Sequence, residues 1–301
     1  MTRISSIFMI SLCAVLGSSL AQAQTAKTFD KDGLRYTILQ GHDVSVAYND
    51  EDTIFLKGRV EIPSQVVNPQ DQSSYSVVAL ADTAFKRCDL IETIVLPASL
   101  KSVGNNIVDH CFNLTAFEMA SGAQNFTTVD GVLYNADVTE VICCPAGKGG
   151  NYTMPATVRV IAPTAFATCK NFRQVTIAEG VKNIPDYAFY ECWGLAQIQF
   201  PESLETIGEY AFDGTILQFL LFHKNLKSIG SHAFERSSMV ECMLLGSVPP
   251  VLGDDVFGNE MKYTRLYVPA GSQGKYKASR WSVFPTIYQG NKTRRWAGSY
   301  R

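Results

Sequence analysis

The chain has 301 residues, of which 46% are hydrophobic, and its 26 basic and 28 acidic residues give a formal net charge of −2. That balance argues against nucleic acid as a general partner. The length exceeds what a single compact core organises, so two domains or one extended repeat array are expected.

A basic start ending at Arg3, an apolar stretch from Ile4 to Leu20 and the small-residue triplet Ala21, Gln22, Ala23 read as a secretory signal peptide over residues 1–23. Serines and glycine interrupt the apolar stretch, which disfavours a permanent anchor. No later apolar run approaches the ~20 residues that a transmembrane helix needs. Cleavage after Ala23 leaves 25 basic and 28 acidic residues, a net charge of −3. The charge is uneven: Met261 to Arg301 holds nine basic residues and no acidic one.

Residues 24–65 read as an N-terminal β cap, with strands at Leu34 to Leu39 and Val44 to Tyr48 covering an otherwise open sheet edge. From residue 66 to 257 a period emerges: Ala84-Phe85, Ala165-Phe166, Ala188-Phe189, Ala211-Phe212, Ala233-Phe234 and Val256-Phe257, with Val108 in the same place of a degenerate copy. The last four intervals are 23, 23, 22 and 23 residues, the mark of a solenoid of stacked coils. Within a coil, Ala196-Gln-Ile-Gln-Phe200 alternates as a half-buried strand does, and Pro201 ends it. Each coil is expected to give one short strand to a shared parallel sheet. About five large apolar side chains per coil stabilise by on the order of 10 kcal/mol, less than the cost of ordering its backbone, so the coils require one another.

The interval from Val108 to Phe166 is too long for one coil and carries turn signals at Asp130-Gly131 and from Gly147 to Gly150, which predicts a hairpin-bearing insertion at about residues 120–155. Pro249-Pro250, Leu266-Tyr-Val-Pro269, Tyr276, Trp281, Phe284 and Ile287 suggest a closing cap, placed at residues 258–289. Residues 290–301 lack any apolar period and are expected to form a flexible basic tail.

The Ala-Phe-x-x-Cys unit, the run Pro201-Glu-Ser-Leu-Glu-Thr-Ile-Gly208, the run Asp130-Gly-Val-Leu-Tyr134 and the terminal Leu-Tyr-Val-Pro resemble the BspA-like, or treponemal-type, leucine-rich repeats of bacterial surface and secreted proteins. Departures are Val108 at a Phe place, Ala178 and His223 at proline places, and Thr215 at a cysteine place. The resemblance implies a right-handed, mainly β leucine-rich-repeat solenoid and, for some relatives, attachment to host matrix proteins or other cells. A fold does not supply the ligand.

Cys88, Cys111, Cys169 and Cys192 each lie three residues past the Phe place. They read as small buried residues, with disulfides between stacked neighbours the alternative. Neighbours on a strand face opposite sides. If Pro145 ends its strand as other repeat prolines do, Cys144 points inward and Cys143 is an outward, reactive thiol; the alternative is that the hairpin covers both. The histidines show no metal-ligand spacing, no Gly-x-Ser-x-Gly elbow occurs, and the glycines from Gly147 to Gly150 lack the ending of a phosphate loop. Neither enzyme activity nor a cofactor or metal is expected.

Two surfaces qualify for recognition. The outward residues two places before each proline-equivalent form a column of Val95, Glu118, Thr176, Gln199 and Leu221. At the other end, Lys275, Lys277, Arg280, Arg294 and Arg295 could meet an anionic surface, or else belong to a packed cap and solubilising tail. The reading that results is an extracellular recognition or adhesion protein for a protein or matrix partner. A glycan-binding accessory protein and a structural envelope component are its alternatives.

Overall fold

The structure, a computed structural model, describes residues 27–48, 56–258 and 261–290. The signal segment 1–23 and the tail residues Arg294 and Arg295 lie outside them. Stacked parallel strands form a β-solenoid with almost no helix. Its main ladder runs through Gly58–Glu61, Ile91–Leu96 and Ala116–Met119. It resumes in Gly149–Thr153, Asn171–Thr176 and Gln197–Gln199, and then in Phe219–Phe222, Glu241–Leu244, Arg265–Val268 and Thr286–Gln289.

Coils contribute more than the single strand expected. A second ladder of two-residue strands, Asn183–Ile184, Thr206–Ile207, Ser228–Ile229 and Val251–Leu252, runs parallel along another side. Two residues are too short to show alternation, which is why the sequence pattern hides them. The N-terminal strands Thr28–Lys31, Leu34–Ile38 and Asp43–Ala47 form an antiparallel meander that joins Ser74–Leu80, which in turn pairs with Ser102–Val103.

The period itself is a stack of aromatic rings. Phe166, Phe189, Phe212, Phe234 and Phe257 follow one another at centroid distances of 4.8, 5.0, 5.1 and 6.0 Å, with interplanar angles no larger than 16°. One ring per coil, at about the ~4.8 Å spacing of parallel strands, fills the interior continuously. Just before the Ala-Phe pair the chain turns through the left-handed region at Thr164, Tyr187, Tyr210 and His232. There the Tyr187 amide donates to Glu209 O (2.9 Å) and the His232 amide to Asp254 O (2.9 Å), so this tight corner is held by the next coil.

The insertion is a meander. Phe126–Val129 and Val132–Asn135 pair antiparallel around Asp130 (φ 49) and Gly131 (φ 74), the two positive-φ residues that a tight hairpin turn requires. Glu140–Cys143 adds antiparallel to Val132–Asn135, with Leu133 opposite Cys143 and Tyr134 opposite Val141. Leu133 and Cys143 belong to a core built from the N-terminal coils, whereas Tyr134, Val141 and Cys144 belong to the core of the later coils. The insertion is therefore a wall between two hydrophobic cores.

At the far end, the helix Gln273–Lys277 and the 3-10 turn Arg280–Val283 close the last coil. Tyr276 and Trp281 are wholly buried. The Tyr276 hydroxyl donates to Gly246 O (2.8 Å) and Trp281 Nε1 to Pro250 O (2.8 Å), so both rings satisfy backbone carbonyls that have no further coil to meet.

Candidate functional site: the outward face of the main sheet

Alternation along each main strand sends Val175, Ile198, Leu220, Cys242, Leu266 and Ile287 into the core. The next residue in each strand faces outward. Thr176 is in register with Gln199, and Leu221, Met243, Tyr267 and Tyr288 are in register in turn. Thr176 Oγ1 lies 3.1 Å from Gln199 Oε1 and donates to it. The rest of the column is apolar. Met243 and Tyr267 are buried at 1% and 3% exposure in a small cluster of their own, with Leu221 and Leu245 packed against them and no part in the main core. Tyr267 stacks on Tyr288 at 5.1 Å, and Tyr288 and Phe219 are each 42% exposed. Beside them Arg265 Nη1 donates to Glu241 Oε1 at 3.1 Å.

The five-residue column expected from the sequence is thus split. Leu221 belongs to the apolar strip and Thr176 and Gln199 border it, whereas Val95 and Glu118 pair with each other on the first, separate sheet. Val95 corrects the expectation of exposure, since it is buried at 5%. Arg59 Nη1 meets Glu118 Oε1 at 2.6 Å, and these residues stand on the strands either side of Val95's own. The pair passes above the middle strand and covers the valine. Met243, Tyr267 and Tyr288 were missed by the column. Leu266-Tyr-Val-Pro269 carries the same strand-then-proline signal as the earlier coils, but those residues read as a cap.

Cys143 is a second correction. It is buried, as is Cys144, because the strand carrying them has a core on each side, and burial pushes both thiols well up from their ordinary range. All seven cysteines among the described residues are free thiols, and only Cys88 is partly exposed. Buried thiols donate along the stack, Cys111 Sγ to Phe85 O (2.6 Å) and Cys192 Sγ to Phe166 O (3.0 Å). Of the basic residues, Lys275 and Lys277 are exposed. Arg280 instead donates from Nη1 to Leu252 O (2.9 Å) and Gly253 O (2.8 Å) and from Nη2 to Asp254 (2.5 Å), which ties the cap to the last coil. No group of three or more metal-ligating side chains occurs among the described residues.

A family model for the BspA type leucine rich repeat region matches residues 71–144 and 148–264, in six copies. The chain belongs to this family. Solved structures resemble it as well. The pneumococcal vaccine antigen PcpA is 15% identical over 88% of this chain and 99% of that one, with a TM-score of 0.54. A leucine-rich repeat protein from Bacteroides ovatus is 18% identical over 87% and 76%, with a TM-score of 0.43. A leucine rich cell surface protein from Faecalibacterium prausnitzii is 13% identical over 91% and 98%, with a TM-score of 0.45. Comparison with curated protein sequences finds no match. As a BspA-type repeat protein the chain has a repeat fold, and the fold alone does not assign a ligand. Among the described residues no helix is long and apolar enough to cross a membrane.

Proposed function

We propose that this BspA-type protein is exported and acts, without catalysis, as a recognition or adhesion protein that binds a protein or matrix partner through the outward face of its main sheet. The observation that carries the reading is the pair of exposed aromatic rings on this face, Phe219 and Tyr288, which flank the buried Met243–Tyr267 cluster. Exposed rings bordered by Thr176, Gln199 and the Glu241–Arg265 pair have the make-up of an interface centre with a polar rim. Rigid strands hold it, so little ordering entropy opposes association. The basic start and small-residue triplet of residues 1–23 support export.

Solid-phase binding of the chain to immobilised extracellular-matrix proteins tests the proposal. Saturable binding that is lost in the Phe219→Ala/Tyr288→Ala double variant is the expected result. Binding that the double variant retains in full overturns the assignment to this face.

A further inference from the structure

Beside the apolar strip, where Gly149–Thr153, Asn171–Thr176 and Gln197–Gln199 begin, the same face has a groove of about 560 Å³ with different chemistry. Asn151, Gln174 and Gln197 stand in register on its floor, one per strand, at successive steps of ~4.8 Å. Among the described residues none of these amides hydrogen-bonds to another protein group, so each offers two N–H donors and a carbonyl acceptor to an incoming ligand. Gly194 packs directly on the preceding coil, where a Cβ would come 2.1 Å from Lys170 O, and Ala196 lies beside it in the groove lining.

Charge is one-sided. The register shift opposite Gly150 and Asn151 makes Arg173 the extra residue of a bulge, which turns its side chain out to solvent at the rim. Lys170 holds the other rim, its ammonium 3.7 Å from the centre of the Phe112 ring. Among the described residues no acidic side chain lines the groove. Trp193, 47% exposed and next to the lining residue Gly194, stands 6.5 Å from Phe112.

From this arrangement we infer that the groove binds a carboxylated polysaccharide laid across the strands. Amides at regular steps exchange hydrogen bonds with sugar hydroxyls, the Arg173 guanidinium takes a carboxylate in the two-point geometry suited to it, and Trp193 packs on a ring face. Among the described residues the groove has no acidic pair of the kind that glycoside hydrolysis uses. Charge complementarity selects an acidic over a neutral sugar, and the unpartnered amides select a hydroxyl-rich chain over an acidic peptide. The site is separate from the apolar strip proposed for the protein partner.

Affinity electrophoresis of the full chain at low ionic strength, in gels containing polygalacturonate, dextran or polyglutamate, tests the inference. Retardation by polygalacturonate alone is expected, weakened on the order of tenfold by Arg173→Ala, the equivalent of one lost charge-assisted contact. Gln174→Ala/Gln197→Ala should weaken it similarly, Arg173→Lys should restore part of it, and Lys101→Ala should change nothing. Phe219→Ala/Tyr288→Ala should leave it intact, which separates this site from the protein-binding face. No retardation by polygalacturonate, equal retardation by dextran or polyglutamate, or full retention in the Arg173→Ala variant with an unchanged circular dichroism spectrum would overturn it.

Discussion

Cys143 and Cys144 are neighbours in the chain, yet they face different hydrophobic cores on opposite sides of the inserted meander. Neither thiol reaches solvent, and burial raises both above the range in which a thiolate forms at neutral pH. Cys88 differs: it is partly exposed, and its interaction with the neighbouring Cys111 side chain holds it below its ordinary value. Titration of the native protein with a thiol reagent at mildly alkaline pH should therefore modify Cys88 first, and Cys143 only as the protein unfolds. Modification of Cys143 at the rate of Cys88 would contradict the two-core description.

The same wall carries a buried pair of hydroxyls, Tyr134 and Tyr152, hydrogen-bonded to each other. Burial pushes the Tyr134 phenol up to about 12 and Tyr152 higher, so both stay protonated and the bond persists through neutral pH. Removing one hydroxyl strands its partner, at about 1–3 kcal/mol. Tyr134→Phe and Tyr152→Phe should each destabilise, while the double variant costs clearly less than their sum. Urea unfolding of the four proteins measures the coupling, and strict additivity would refute it.

Phe212 lies between Phe189 and Phe234 in the ring stack and is fully buried. Phe212→Ala should cost about 3–5 kcal/mol, because both neighbouring rings lose a face. Urea unfolding of the variant measures the loss, and a change under about 1 kcal/mol would contradict a continuous ring stack.

Asp213 is nearly inaccessible, and Arg236 clasps it with Nε at 2.9 Å and Nη2 at 2.7 Å while the Arg236 amide adds 3.1 Å. Its carboxylate side chain is 4% exposed, against 51% for the arginine. Arg236→Ala should thus leave an under-satisfied buried anion and destabilise by about 1–3 kcal/mol. Asp213→Asn/Arg236→Ala should recover part of that loss in the same unfolding assay.

These features differ in how far the sequence discloses them. The Ala-Phe period is legible because one ring per coil must recur at the coil's length, and Phe166 to Phe257 form the stack that this period implies. The orientation of Cys143 is not legible: alternation tells which residues share a side, not whether a side is wet, and here the N-terminal core occupies the side expected to face solvent. Val95 fails for a related reason, since Arg59 and Glu118 meet above it from strands far apart in sequence. The apolar strip was within reach: Tyr267 sits two places before Pro269 as Gln199 does before Pro201, and only its assignment to a cap hid it.

The most direct measurement of the central claim is the affinity of the purified chain for an immobilised matrix protein that it binds, compared with the Phe219→Ala/Tyr288→Ala variant under conditions where both have the same melting temperature. Two exposed aromatic contacts at an interface centre are worth enough that affinity should fall by about tenfold or more. Equal affinities would show that the outward face carrying Phe219 and Tyr288 is not the recognition surface.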